Sequence, residues 1–315
     1  MIETVDRCDL CGGTSFSTRA RFTDLARFGR EAWTLVACDG CGLCFLNPRP
    51  ARDAIADHYD DDYPAHRDAQ PPPLRRWQAL AGGDVPPGPA ARAVLRVREQ
   101  VAWHAIPRPR GRRRILDVGS GNGALLDVMA QLGWATHAVE PSPAAAARAR
   151  AKGHAVAVGT AERIPHPDAS FDVVVLWHVL EHTHSPAAAL AEVHRVLADG
   201  GALHLAVPNW RGLPARAFGR YWVGVEAPRH LYQLDATTLR AYLARAGFQL
   251  AELATRTGAT SFARPLRLLA NDLLGTRFAR EPTWLVAPFE PLAAVLGAFR
   301  SFGVGCELRA IALKG

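Results

Sequence analysis

The feature that most constrains the fold of this sequence is a glycine-rich segment, ILDVGSGNG at Ile115–Gly123. An apolar run leads into three glycines at alternate positions, and the helix-forming stretch ALLDVMAQL follows them. Glycine has no Cβ atom, so it permits a tight turn and a close approach of the backbone to a ligand. The segment therefore predicts a strand, a ligand-binding turn and a helix, with a plain strand-to-helix turn as the simpler alternative.

Strand-like and helix-like stretches alternate from Arg114 onward. The predicted strands are Ile115–Val118, Thr136–Val139, Ala155–Val158, Phe171–Leu176, Ala202–Val207, Phe248–Ala254 and Glu307–Ala312. The predicted helices between them are Ala124–Leu132, Pro143–Lys152, Ser185–Leu197 and Asp235–Ala246. This order predicts an α/β fold with a doubly wound, seven-stranded, mostly parallel Rossmann-like sheet, which binds its ligands at the carboxyl ends of the strands.

Composition divides the chain into three parts. Residues 1–48 hold five of the six cysteines, and residues 49–111 are rich in Pro, Arg and Ala. We interpret the first part as a small zinc-ribbon-like module and the second as a linker with one helix, Ala90–Ile106. Residues 112–315 form the main domain, in which the stretch at about 255–303 is predicted to fold as a helical lid over the active site.

Two cysteine pairs define the N-terminal module. Cys8 and Cys11 form one C-x-x-C pair, Cys38 and Cys41 form the other, and a glycine follows each pair. Four thiolates in this pattern predict a tetrahedral structural Zn²⁺ site that stabilises a small fold. Disulfides are the weaker alternative in a chain without an export signal, and Cys44 is a spare thiol that could compete as a ligand.

Charge and hydropathy exclude little. The formal charge is +7, and the basic residues are almost all arginine. A general bias in composition explains this as well as a phosphate-binding surface does, so the charge does not decide between them. The N-terminus, MIETVDRCDLC, lacks the apolar core of a secretion signal, so we expect a cytoplasmic protein. The apolar stretch Trp284–Phe299 is interrupted by two prolines and a glutamate, which favours a lid or interfacial helix over a membrane span.

The ligand of the glycine turn has two candidates. Glu140 ends the second predicted strand, about 20 residues after the first glycine, where a carboxylate accepts both ribose hydroxyls of a nucleotide. Because Gly119-x-Gly121-x-x-Ala124 also fits the dinucleotide pattern, both S-adenosylmethionine (SAM) and NAD remain open at this point, whereas the carboxylate would repel the 2′-phosphate of NADP. Asp117 lies two residues before the first glycine, and it favours SAM because the loop that binds this cofactor carries an acidic residue there, near the methionyl end.

Four segments in order resemble the successive motifs of class I SAM-dependent methyltransferases. They are ILDVGSGNG, AVEPS at Ala138–Ser142, FDVVVLWHVLEH at Phe171–His182 and RVLADGG at Arg195–Gly201, within a resemblance that spans about Arg112–Ala254. The resemblance implies SAM contacts from Asp117, Gly119, Ser120, Gly121, Gly123, Glu140, Pro141, Ala161, Glu162 and Trp177. The segment CGLCFLNPRP at Cys41–Pro50 looks like bacterial methyltransferases with an N-terminal ribbon, many of which act on glycans or natural products.

Methyl transfer to a hydroxyl or an acidic C–H requires a base, and histidine is the usual choice near neutral pH. His178, Glu181 and His182 follow the fourth predicted strand, and their spacing resembles the metal-binding E-x-x-E-H segment of ubiquinone-pathway O-methyltransferases and small-RNA 2′-O-methyltransferases. Histidine in place of the first glutamate argues against Mg²⁺, which prefers oxygen ligands.

His230, in APRHLY, matches a position that supplies a further ligand in the RNA enzymes and an acid/base group in deoxysugar C-methyltransferases. We therefore expect the two histidine-bearing segments to converge, with His178, Glu181, His182 and His230 as the catalytic candidates. The alternative is that Glu181 and His182 only orient their loop while His178 packs beside the cofactor. His184 and His194 are expected to face solvent.

Three functions remain open. The aromatic and arginine residues of Trp210–Tyr232 favour a small-molecule acceptor with a ring and an anion, such as a nucleotide-linked sugar or an aromatic acid, methylated on O or C. An RNA methyltransferase could use the ribbon and arginines 108, 110 and 112–114 for phosphate contacts, although these arginines also suit a solvated linker. A non-enzymatic ribbon protein that binds a partner is disfavoured by the intact glycine turn.

Overall fold

The computed structural model describes residues 1–25, 29, 31–59, 112–276, 278, 282–298 and 303–315. Most of the predicted linker, with its helix Ala90–Ile106, lies outside the described residues. The strands are β1 (Ile2–Glu3), β2 (Phe16–Thr23), β3 (Ala32–Cys38), β4 (Cys44–Leu46), β5 (Arg49–Pro50), β6 (Arg114–Val118), β7 (Ala135–Glu140), β8 (Ala155–Val158), β9 (Phe171–Trp177), β10 (Leu197–Pro208), β11 (Tyr232–Gln233), β12 (Phe248–Arg256) and β13 (Glu307–Lys314).

Helices connect or cover these strands. They are α1 (Ala124–Gln131), α2 (Pro143–Ala151), α3 (Pro186–Val196), α4 (Leu213–Phe218), α5 (Ala236–Arg245), α6 (Thr260–Leu274), α7 (Thr283–Val286) and α8 (Glu290–Ala298). Short 3-10 helices lie at Ile55–His58, Leu180–His182, Gly219–Tyr221, Val223–Val225 and Ala287–Phe289. The region predicted as a lid thus contains α6, α7 and α8.

The central sheet has seven strands in the order β12-β13-β10-β9-β6-β7-β8. Strands β6 to β10 run parallel to one another, and β13 runs antiparallel to both of its neighbours. The predicted α/β class and the seven-stranded, mostly parallel sheet are confirmed. The carboxyl ends of β6, β7 and β9 meet at one edge of the sheet, and β13 begins at that same edge because it is antiparallel.

Local sequence explains why these elements form. The central strands β6 and β9 are apolar along most of their length, as expected for strands covered by helices on both faces. Ser142 and Ser185 accept a backbone N–H at the start of α2 and α3, and a proline follows each serine. Asp235 and Thr238 form a capping box at the start of α5.

One strand is longer than expected. The prediction Ala202–Val207 covers only the second half of β10, which begins at Leu197. The pairing with β9 shifts register between Leu197 and Ala202. Gly200 has a φ of +71° there, so glycines within a strand mark an irregularity that the simple pattern reads as a turn.

The N-terminal module packs into the main domain. Its sheet has the order β11-β4-β3-β2, and β11 belongs to the main domain, with Tyr232 opposite Phe45 and Gln233 opposite Cys44. The fold of this part of the chain continues past residue 48, because β5 pairs with β1 and the 3-10 helix Ile55–His58 follows. We therefore define the N-terminal module as residues 1–59. Among the described residues, none of the helices combines the length and the apolar character that a membrane span requires.

Candidate active site and cysteine cluster

The glycine turn after β6 needs its glycines. Gly119, Gly121 and Gly123 have φ values of +74°, +54° and +79°, a region that side chains with a Cβ atom rarely adopt. A Cβ atom at Gly119 would lie 2.5 Å from Cγ2 of Val179, in the loop that follows β9. The turn therefore has both the backbone shape and the close packing that only glycine permits.

Glu140 at the end of β7 organises this turn. One carboxylate oxygen accepts the N–H of Gly121 at 2.8 Å and the other accepts the N–H of Ser142 at 2.8 Å, although only 3% of the residue is exposed. Asp117 lies nearby and is also buried. Burial, together with the charge of Glu140, raises the pKa of the Asp117 carboxyl to about 8.

The residues of this turn fit the methionyl and ribose ends of SAM. Within the described part of the chain, the Ser120 hydroxyl is buried without a hydrogen-bond partner, which is unusual for a polar group. A ligand with polar groups would satisfy this hydroxyl. The Glu140 carboxylate is a hydrogen-bond acceptor at the end of β7, which is the group and the position that suit the ribose hydroxyls of a nucleotide.

The other expected cofactor contacts differ in their surroundings. Ala161 is buried, Pro141 is exposed, and Trp177 is half-buried with the Arg309 guanidinium 4.6 Å from its ring centroid. Glu162 accepts the His184 N–H at 2.9 Å and pairs with Arg52 at 3.1 Å. Glu162 thus links the loop after β8 to the N-terminal module.

His178 is held between two carboxylates. Its Nδ1 lies 3.2 Å from Glu181 Oε1, its Nε2 lies 2.9 Å from Glu307 Oε2 on β13, and its φ is +54°. Burial would lower the pKa of His178, but the two carboxylates outweigh this effect and raise it to about 10, although 38% of the side chain is accessible. Both ring nitrogens therefore carry protons near neutral pH, and neither has a lone pair for a metal or a substrate proton.

His182 and His230 meet, as the sequence predicts, with ring centroids 4.5 Å apart. The backbone brings them together, because the N–H of Leu231 donates to the carbonyl of Glu181 at 2.8 Å. The Nδ1 of His182 lies 3.0 Å from the Arg229 carbonyl, and the Nδ1 of His230 lies 2.8 Å from the Gly224 carbonyl. A carbonyl only accepts, so Nδ1 is the protonated nitrogen of each ring in its neutral form, and the lone pair of that form is on Nε2.

Burial and the neighbouring His230 lower the pKa of His182 to about 4, so its ring is neutral at physiological pH. Glu181 beside it is only 1% exposed, and its Oε2 lacks a hydrogen-bond partner among the described residues. Glu181, His182 and His230 each offer one ligand atom, and these atoms lie within 4.8 Å of one another. Two imidazoles and one carboxylate suit a transition metal or zinc better than Mg²⁺.

Sequence reasoning missed four residues at this site. The Tyr59 hydroxyl lies 2.8 Å from His182 Nδ1, and Glu226 Oε2 lies 3.6 Å from His230 Nε2. Arg229 binds His182 through its carbonyl, and Glu307 binds His178. Glu226 lies four residues before His230 and could have been suspected from the sequence, whereas Tyr59 and Glu307 are distant in the chain.

The expectation that His184 faces solvent is wrong. His184 is 6% exposed, and its Nε2 lies 3.0 Å from the Pro50 carbonyl. The N-terminal module covers the ring, and no local pattern predicts this contact between distant parts of the chain. His194 is half-buried against Phe248, with ring centroids 5.1 Å apart.

The four cysteines of the two C-x-x-C pairs form one cluster. The Sγ atoms of Cys8 and Cys41 are 3.6 Å apart, those of Cys11 and Cys38 are 3.5 Å apart, and all four lie within 4.8 Å of one another. Thiolates at about 2.3 Å from a tetrahedral Zn²⁺ would be about 3.8 Å apart. The arrangement therefore fits a tetrathiolate site, and Cys44 is not part of the cluster.

The two cysteine loops have the same backbone shape. The N–H of Gly12 donates to the Cys8 carbonyl and the N–H of Gly42 donates to the Cys38 carbonyl, both at 2.8 Å. Both glycines have a φ of +76°. The glycine after each pair is thus required by the turn that directs the two thiols to the same point.

The first cysteine loop binds the main domain through Asp9. One Asp9 oxygen accepts the Ser185 hydroxyl at 2.5 Å, and the other accepts the Ala187 N–H at 2.9 Å and the Tyr242 hydroxyl at 3.0 Å. Asp9 thereby adds a negative charge to the N-terminus of α3, where the helix dipole favours it. The cysteine cluster and the loop at Leu180–His182, which precedes α3, are parts of one packed unit.

Comparisons with known proteins agree with this geometry. A family model described as a methyltransferase domain matches residues 90–253, just over half of the chain. A protein of Mycolicibacterium smegmatis, named a probable S-adenosylmethionine-dependent methyltransferase, is 29% identical over 179 residues, which cover 54% of this chain and 65% of the relative. A ubiquinone biosynthesis O-methyltransferase of Parvibaculum lavamentivorans is 30% identical over 177 residues, which cover 50% of this chain and 69% of the relative.

The matches leave part of each protein uncovered. This chain covers 65% of the Mycolicibacterium smegmatis relative and 40% of an uncharacterized methyltransferase of Mycobacterium tuberculosis, which is 39% identical over 102 residues. A solved SAM-dependent methyltransferase of Thermotoga maritima is 23% identical with a TM-score of 0.47, over 72% of this chain and 95% of that chain. Because this family model matches just over half of the chain, the chain belongs to the methyltransferase domain family.

Proposed function

We propose that the protein transfers a methyl group from SAM to an oxygen, or to an acidic carbon, of a small molecule such as a sugar, a nucleotide-linked sugar, or an aromatic or polyketide-type metabolite. The observation that carries this proposal is the pair of imidazoles of His182 and His230, each with an available Nε2 lone pair. They follow β9 and precede β11, at the sheet edge that also carries the glycine turn. An acceptor that loses a proton on methylation needs such a base.

The glycine turn, Ser120, Asp117 and Glu140 would hold the cofactor, with Ala161, Glu162, Pro141 and Trp177 as further contacts by family analogy. When bound, SAM supplies a methyl group on a sulfonium, so alignment of the acceptor accounts for much of the rate. The chain's own task is then to hold the acceptor and to take its proton.

In this proposal His230 is the general base. Its Nε2 takes the proton from the acceptor, and the Glu226 carboxylate at 3.6 Å stabilises the imidazolium that forms. His182 stays neutral because of its lowered pKa, and its Nε2 accepts a hydrogen bond that orients the acceptor. Glu181 and His178 hold the loop between β9 and α3 in place.

Glu181, His182 and His230 could also bind a divalent ion, so the experiment below tests metal dependence.

For the cysteine cluster we propose a structural Zn²⁺, because a closed tetrathiolate site leaves no position for a substrate. Its role is to shape the N-terminal module that packs against the active-site loops.

Nothing in the described residues supports an RNA acceptor. Arg113 and Arg114 lie at the start of β6, at the sheet edge opposite the glycine turn. The Arg114 guanidinium lies 5.5 Å from the centroid of the Phe171 ring, and its backbone N–H donates to Asp172 at 2.9 Å. The Arg114 side chain and backbone are thus engaged in structural contacts.

The test is transfer of a tritiated methyl group from SAM into cell extract, followed by separation of small molecules, RNA and protein. We expect label in the small-molecule fraction, with a loss of about 100-fold or more for His230→Ala and a smaller loss for His182→Ala. His194→Ala is the matched control, because His194 packs on Phe248 at the opposite edge of the sheet.

Adding a chelator to the assay distinguishes a reaction that uses a histidine base from one that needs a bound metal. Activity that survives chelation supports the base, whereas activity that is lost and then restored by Mn²⁺ assigns the three side chains to a metal. Label in RNA, or unchanged transfer in both histidine variants, would reject the proposal.

A further inference from the structure

The N-terminal cysteine module reaches the catalytic histidines through a buried ion pair. The Arg229 side chain is 1% exposed, and Asp24 comes from the segment that follows β2. Asp24 Oδ2 accepts Arg229 Nη1 at 2.6 Å and Oδ1 accepts Nη2 at 3.0 Å, which is the bidentate geometry of the strongest charge-assisted hydrogen bonds. These two residues are 205 positions apart in the chain.

The other donors of Arg229 are also engaged. Its Nε donates to Glu226 Oε1 at 2.9 Å, and its Nη1 lies 3.3 Å from the carbonyl of His58. A buried guanidinium is costly unless its partners are in place, so this set of contacts strongly determines where Arg229 lies. Two of the three partners, Asp24 and His58, belong to the N-terminal module.

The backbone of Arg229 then orients the two imidazoles. Its carbonyl accepts the Nδ1–H of His182 at 3.0 Å, and the next residue is His230. The main chain of this turn is closed by the N–H groups of Arg229 and His230, which both donate to the Glu226 carbonyl, at 2.9 and 3.1 Å. The position of the guanidinium and the position of the carbonyl are therefore coupled within one short turn.

The module supports the same turn from its other end. The N–H of Leu46 on β4 donates to the carbonyl of Leu231 at 2.9 Å, directly before the β4–β11 pairing. The Tyr59 hydroxyl lies 2.8 Å from His182 Nδ1. A purely structural ribbon would not need contacts at each side of the catalytic turn.

We propose that Asp24 is a positioning residue of the active site. Through the Arg229 guanidinium it fixes the carbonyl that holds His182 as the Nδ1–H tautomer, so the cysteine module completes the catalytic site. This inference rests on the proposed function of His182 and His230, and it adds a role for the N-terminal module in the same reaction. Arg229 transmits the effect and is itself a positioning residue.

The test reads the tautomer of His182 directly, by long-range ¹⁵N–¹H NMR of the full-length protein labelled on histidine nitrogens, at fixed pH. In the wild type we expect a protonated Nδ1 and an unprotonated Nε2. In Asp24→Asn we expect the ratio of the Nδ1–H to the Nε2–H tautomer to fall about tenfold or more, because the carbonyl is no longer held. Asp24→Glu keeps the carboxylate and should recover part of the ratio.

Asp39→Asn is the matched control, since Asp39 is an exposed carboxylate of the same module that accepts the Ser15 and Ser17 hydroxyls, each at 2.6 Å. It should leave the tautomer ratio unchanged. Methyl transfer into extract should fall about 10- to 100-fold in Asp24→Asn and stay at the wild-type level in Asp39→Asn.

A wild-type His182 protonated on Nε2 would overturn the inference, and this needs no variant to fold. So would a folded Asp24→Asn protein with the wild-type ratio. The failure of the proposed function looks different, because His182→Ala and His230→Ala would then keep full transfer whatever the tautomer. Binding of S-adenosylhomocysteine, measured by calorimetry, should be within about twofold of wild type in Asp24→Asn, since the two Asp24 carboxylate oxygens bind Arg229.

Discussion

Alanine at Gly119 should damage cofactor binding more than the same change at a comparable glycine elsewhere. Gly119 has a φ of +74°, and an added Cβ atom would lie 2.5 Å from Cγ2 of Val179. The left-handed backbone costs a residue with a Cβ atom about 1–2 kcal/mol. The overlap with Val179 adds about 1–3 kcal/mol, because the turn or the valine must move. The free energy of unfolding should therefore fall by about 2–5 kcal/mol, summing these two costs.

Gly200→Ala isolates the backbone cost. Gly200 has a φ of +71°, with no atom within 4 Å of the added Cβ atom, and it lies in β10 toward the edge opposite the glycine turn. It should lose only about 1–2 kcal/mol of stability. Calorimetry should show affinity for S-adenosylhomocysteine at least about tenfold weaker in Gly119→Ala and unchanged in Gly200→Ala. Equal affinities in the two folded variants would refute the assignment of this turn to the cofactor.

Three further predictions concern the cofactor turn and the cysteine cluster. Ser120→Ala should weaken S-adenosylhomocysteine binding about fivefold, the value of one hydrogen bond, without lowering the unfolding free energy of the free protein; unchanged affinity in calorimetry would contradict it. Cys38→Ser should lower the zinc content, measured by atomic absorption, from one ion per chain, and a full complement of zinc in the variant would exclude the tetrathiolate site. The Asp117 carboxyl, with a pKa of about 8, stays protonated when folded and ionises in the unfolded chain at lower pH. It therefore makes the unfolding free energy fall as pH rises from about 4 to 8, by at most about 1.4 kcal/mol per pH unit. Asp117→Asn should flatten this slope in urea titrations, and identical slopes would count against the buried carboxyl.

Much of the main domain could be predicted because its signals are local. Buried strands such as β6 and β9 are continuous apolar runs, and the helices start at serines followed by proline. The proximity of His182 and His230 was expected from the resemblance of their two segments to those of related methyltransferases. The cysteine pairs predicted the cluster because their spacing and their glycines dictate the turn.

The contacts that tune the site could not be predicted, because their partners are distant in the chain. From the sequence, His178 is a candidate metal ligand or base. In the structure its Nε2 lies beside Glu307, 129 residues away, so His178 belongs to an ionic network. The pairing of β4 with β11 joins Phe45 to Tyr232, and the ion pair joins Asp24 to Arg229, 205 positions away. Such pairs have no local pattern, so the module looked separate from the active site.

A crystal structure of the protein with S-adenosylhomocysteine would show where the cofactor binds relative to the two imidazoles. We expect that the ribose hydroxyls bind Glu140, that the Ser120 hydroxyl gains a polar partner, and that the sulfur lies on the side of the turn facing His182 and His230. A ligand bound away from the Gly119–Gly123 turn, or with its sulfur far from both imidazoles, would contradict it.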